Sequence, residues 1–77
     1  MEGVSLDKIT DEVFCDMYGM PITLESDDKV KRKYCDLLGI IAKFKYSHEL
    51  ENNRLLEVYR QDKAKFHKYI RTGVDTY

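Results

Sequence analysis

The sequence predicts a small, mostly α domain, a compact unit of three helices, and three observations carry that expectation. Apolar residues recur at helical spacing over three long stretches. Capping residues or glycines stand at the ends of those stretches. Only one proline and four glycines interrupt the 77 residues, which leaves few breaks for a strand-and-turn fold.

The first helix is expected over 6–18. Leu6, Ile9, Val13 and Met17 follow a helical period, with Phe14 beside them, and Asp7, Asp11, Glu12 and Asp16 occupy the outer face. Ser5 or Asp7 supplies the N-terminal cap. Gly19 provides the stop, and Pro21 reinforces it by biasing Met20 toward an extended conformation.

The second helix is expected over 27–45. Ser26 is the capping hydroxyl, and Asp27 and Asp28 fall in a first turn where the helix dipole favours negative charge. Val30, Tyr34, Leu37, Leu38, Ile41 and Phe44 share one side of the wheel. Gly39 costs roughly 1 kcal/mol inside a helix, so it opens an alternative. If Gly39 ends the helix, Ile40 to Tyr46 alternate as a strand. A second short strand at 20–25 would then complete a small α/β unit.

The third helix is expected over 48–72, with Ser47, Glu49 and Glu51 at its start. Leu55, Val58, Tyr59, Phe66, Tyr69 and Ile70 form its stripe, and Gly73 its terminator. Residues 1–4 and 74–77 are expected to fray.

Size and composition bound the function classes. At 77 residues, 43% hydrophobic and 35% charged, the chain is one domain with an ordinary composition for a folded protein. So short a chain has little room for both a core and a deep pocket. No apolar run approaches a membrane span. The opening Met1-Glu2-Gly3-Val4-Ser5 has neither the basic flank nor the apolar core of an export signal. The expectation is a cytoplasmic chain whose Cys15 and Cys35 are reduced, partly buried small hydrophobes, slow to react until the chain unfolds.

Charge is unevenly placed. Residues 1–28 carry eight acids against Lys8 alone, while residues 29–77 carry twelve lysines and arginines against six acids. Such asymmetry marks a partner surface if the halves stay apart, and self-neutralises if they fold together.

The patterns that carry catalysis are missing. The glycines stand singly, and no nucleophile elbow, HExxH or CxxC occurs. His48, His67, Cys15 and Cys35 lack the paired spacing of a structural zinc site. Asp62 falls mid-stripe between Tyr59 and Phe66. It reads either as a recognition acid beside His48 or, preferably, as an interruption that pairs with Lys65 or a tyrosine hydroxyl. A helix-turn-helix reading around Gly19 fails, because its second helix would bring Glu25, Asp27 and Asp28 against phosphates.

The expected function is therefore non-enzymatic, with no cofactor and no metal. The chain is read as a protein-binding module, an adaptor or inhibitor of a larger protein. Its candidate interface is the acidic first helix with exposed tyrosines: Asp11, Glu12, Asp16, Tyr18 and Tyr46. Charge reversal on that helix is expected to leave the fold intact. The alternative partner is nucleic acid, bound through Lys29, Lys31, Arg32 and Lys33. No membrane is expected, and a homodimer stays open.

Overall fold

A computed structural model describes residues 3–23 and 25–77. The chain runs α1 (Leu6–Tyr18), α2 (Asp28–Ser47), α3 (Asn52–Gln61) and α4 (Lys63–Thr72). The mostly helical class holds, but among the described residues the helices number four, not three. Among the described residues there is no strand. Residues 40–46 lie inside α2, and the 20–25 connection, of which Leu24 lies outside the described residues, carries only a bend and a turn.

α1 begins where expected: the Ser5 hydroxyl accepts from the Lys8 amide. It ends on Gly19, whose φ of 76° is open to glycine without a side-chain clash. α2 is capped by Asp27, not Ser26: the Asp27 carboxylate accepts from the Val30 amide at 2.9 Å. Ser26 instead closes the preceding turn, accepting from the Thr23 amide. Gly39 stays inside the helix because Leu37, Ile41 and Phe44 are buried on either side of it. Three buried side chains outweigh one glycine's cost.

The break expected between 45 and 48 falls a few residues later. His48 to Glu51 form the turn, with Glu49 in the left-handed region at φ 52°. The Leu50 amide bonds the Lys45 carbonyl and the Glu49 amide the Tyr46 carbonyl, the hydrogen-bond pair of a Schellman cap. The expected third helix then divides once, at Asp62, whose side chain accepts from the Lys65 amide at 3.0 Å and caps α4. A short acid that bonds backbone outside a helix competes with the helix itself. Asp62 is thus the interruption, and His48 pairs elsewhere.

The core gathers from every helix: Ile9, Val13 and Phe14, then Leu37, Ile41 and Phe44, then Leu55, Leu56 and Tyr59, then Phe66 and Tyr69. Leu38, expected mid-stripe, is only half-buried and lies outside this cluster. It stands roughly 100° from Leu37, on the outer edge of the stripe. Both cysteines are exposed, against expectation. Cys15 lies two residues from Val13 and Cys35 two from Leu37, each roughly 200° around its helix from a buried position. Position on the wheel overrides residue type.

The ends of the chain are tied back. The Val4 amide donates to Asn53, while Met1 and Glu2 lie outside the described residues. Residues 74–77 form no helix, yet Asp75 approaches His48 at 2.7 Å and the Tyr77 ring lies 4.9 Å from that of Phe44.

Candidate functional site

Two flanks of α1 meet the rest of the chain in different ways. On the α3–α4 side, Glu12 takes a two-pronged contact from the Arg60 guanidinium at 2.7 and 3.0 Å. One turn on, Asp16 accepts from the Tyr59 hydroxyl at 2.6 Å and pairs with Lys63 at 3.1 Å. Tyr59 is fully buried, and its hydroxyl also lies 3.0 Å from His67 Nε2. Because that hydroxyl gives its proton to Asp16, His67 must donate from Nε2.

The electrostatics of this cluster follow. The Arg60 hydrogen bond holds Glu12 below the usual carboxylate range, and the Tyr59 hydrogen bond does the same for Asp16. Burial, then the neighbouring Asp16, pushes the Tyr59 phenol far above its ordinary value. Burial, then Arg71, lowers His67. A carboxylate, a phenol and an imidazole in line resemble acid–base machinery, but the phenol has no access to solvent and is held protonated. The arrangement can hold α1 onto α3 and α4.

A second histidine–acid pair, His48 with Asp75, has as its neighbours the rings of Phe44 at 4.3 Å and Tyr77 at 6.2 Å. Among the described residues no three His, Cys, Asp or Glu side chains converge on a metal site. No described helix is long and apolar enough to cross a membrane.

The other flank of α1 is open. Met17 and Tyr18 meet Leu37 and Ile40 of α2 and Ile70 of α4 around a groove of about 210 Å³. Lys33, Asp36 and Arg71 form its rim. Tyr18 is 43% exposed and Met20, just beyond the helix, 53%. The Lys33 ammonium lies 5.5 Å from the centre of the Tyr18 ring. A second, wider hollow lies between residues 3–5 and the start of α3. Its lining is polar, and Asn52 Oδ1 is without a hydrogen-bond partner there.

The residues expected to form the acidic interface do not share one surface. Glu12 and Asp16 are engaged by α3 and α4. Asp11 and Tyr18 lie within roughly 20° of each other on the α2 side of α1. Tyr46 projects from the outer face of α2, 71% exposed. The four basic residues divide as well: Lys29 and Lys33 lie on the groove side of α2, Arg32 is roughly 100° around the helix from Lys33, nearer Tyr46, and Lys31 is roughly 160° from Lys33. Among the described residues none of these four has an ion pair.

Ile40, Ile70 and Arg71 are the groove residues that sequence reasoning missed. The signal for Ile40 and Ile70 was apolar character at the edge of a stripe; Arg71 carried none beyond its place next to Ile70. Compared with known proteins, the chain matches no family model, no curated relative and no solved structure.

Proposed function

We propose that this chain is a non-enzymatic, intracellular protein-binding module, an adaptor or inhibitor that takes up a segment of a larger protein at the α1–α2–α4 groove. The observation that carries the reading is the groove itself: an apolar floor beside exposed Tyr18 and Met20, under a rim of charges without ion pairs. A half-buried apolar surface with unpartnered charge around it is the anatomy of an interface core and its rim. Two exposed thiols support a reducing compartment. The acidic helix contributes through Asp11 and Tyr18 only, since Glu12 and Asp16 serve the fold.

Nucleic acid remains the alternative occupant, favoured by Lys29 and Lys33, without ion pairs among the described residues, and weakened by Arg32 and Lys31 turning away from them. A photo-cross-linking residue placed at Tyr18, and separately at Tyr46, tests the two readings in extract of the native host. The Tyr18 position is expected to capture a discrete protein and the Tyr46 position not to. Generic DNA and RNA are expected to bind weakly near physiological salt. Tight, salt-sensitive nucleic-acid binding, lost when Lys29, Lys31, Arg32 and Lys33 are neutralised, would replace this function with the alternative.

A further inference from the structure

The groove's size, charge and surroundings narrow the kind of partner, on the reading that the chain binds protein. Its volume of about 210 Å³ falls below the roughly 300–1,000 Å³ of small-molecule sites. It holds one or two aliphatic side chains inserted from outside. The rim is mainly cationic: Lys33 on α2 and Arg71 on α4 stand on it. Lys29 continues the same side of α2, against Asp36 on the rim and Asp11 two turns back from Tyr18 along α1. Two further acids of α1, Glu12 and Asp16, are held on its opposite flank by Arg60 and Lys63.

The backbone of the partner is constrained too. Among the described residues the chain has no strand, so it offers no sheet edge to an extended peptide. A helix satisfies its own backbone hydrogen bonds and needs only a side-chain groove. We propose that the groove is a docking site for an acidic amphipathic helix of another protein. Its aliphatic face enters between Met17, Leu37, Ile40 and Ile70, and its flanking carboxylates meet Lys33 and Arg71. A second copy of this chain does not fit the description. Its acidic helix is α1, whose Ile9, Val13 and Phe14 are all committed to its own core. Nucleic acid fits poorly, because an aliphatic floor provides a stacking surface only at Tyr18.

The test uses the full chain labelled for amide NMR and three probes. One is a stapled helix of about fourteen residues, long enough for helical turns to persist, with leucines on one face and glutamates beside them. Its twin carries lysine for every glutamate, and the third probe is oligo(dT). The acidic helix is expected to shift the amides of Met17, Tyr18, Leu37, Ile40 and Ile70 selectively, and less so as salt rises. The basic twin is expected to bind at least roughly tenfold more weakly. Lys33→Glu with Arg71→Glu is expected to weaken the acidic helix about tenfold while leaving the helical spectrum unchanged. Asp36→Asn is expected to tighten it roughly two- to threefold. Equal binding of the twins, shifts scattered over the surface, indifference to the double reversal, or tighter binding of oligo(dT) at the same amides would each overturn the proposal. If the acidic helix fails while Tyr18 still cross-links a protein, the occupant is wrong and the protein-binding reading stands. If both fail, that reading fails with it.

Discussion

The two flanks of α1 carry similar amounts of charge and use it differently. Toward α3 and α4, Glu12 pairs with Arg60, and Asp16 with Lys63 and with the buried Tyr59 hydroxyl. Toward the groove, Lys33, Asp36 and Arg71 stand beside apolar side chains, and among the described residues none of the three is in an ion pair. A flank whose charges are mutually satisfied holds the fold together. A flank whose charges are unpaired, beside apolar surface that water still reaches, is available to a partner. The overall charge of −1 conceals this, because the acidic and basic halves of the chain cancel through one side of α1 only.

The largest expected effect lies in the core that both flanks share. Ile41→Ala, at a fully buried position, should cost roughly 2–5 kcal/mol. Leu38→Ala, outside the core cluster, should cost under about 1 kcal/mol. Thermal melting of the pair checks the contrast, and equal losses would place Leu38 in the core after all.

Next is the paired flank. Tyr59→Phe removes the donor to Asp16 and the acceptor for His67 and should cost roughly 1–3 kcal/mol. No comparable loss is expected from Tyr18→Phe on the open flank. Chemical denaturation of both variants would reveal whether the hydroxyl at Tyr59 matters more.

The same cluster sets a pH dependence. His67 is lowered in the folded chain, by burial first, so the unfolded chain binds its proton more readily. Stability from His67 is therefore complete above an unfolded value of about 6.5 and declines as pH falls below it. Glu12 and Asp16 are lowered too, so a second loss should begin near pH 4 and deepen toward their folded values. A melting temperature that stays flat from pH 7.5 to 3 would contradict the cluster's role.

Smaller effects sharpen where the helices end. Asp62→Ala should cost about 1 kcal/mol through the lost cap on α4. Glu49→Gly, relieving a left-handed residue, and Gly39→Ala, at a surface helix position with nothing within 4 Å of an added Cβ, should each stabilise by about 0.5–1 kcal/mol. Both cysteines should react rapidly with a thiol reagent in the native chain, since both are exposed.

Those ends also show how much was legible in sequence. α1 was readable in span, with Ser5 and Asp7 both offered as its cap: a short hydroxyl marks the start, and Gly19, free to take a positive φ without a Cβ, marks the end. The break before α3 was legible but placed a few residues early, at 46–47 and not 48–51, since its left-handed position is Glu49 where glycine normally signals such a cap. The break at Asp62 was visible as an acid out of place in an apolar stripe, but a mid-stripe acid has several explanations and only geometry chooses a cap. The candidate site was half legible. Periodicity places Tyr18, Lys33 and Leu37 correctly on their helices, yet it cannot say which two helix flanks face each other. Hence Glu12 and Asp16 read as free outer residues until α3 and α4 were seen against them.

Paired charge reversals test the comparison most directly. Glu12→Lys with Asp16→Lys strikes the satisfied flank, and Lys33→Glu with Arg71→Glu strikes the open one. Each pair moves a similar amount of charge on half-exposed or exposed helix positions. The first pair breaks the contacts to Arg60, Lys63 and Tyr59 and should lower the melting temperature by on the order of 5–10 °C, after allowing for solvent screening. The second should leave it within about 2 °C. Equal melting temperatures for the two double variants, or a larger loss from the groove pair, would contradict the division of α1 into a structural flank and a binding flank.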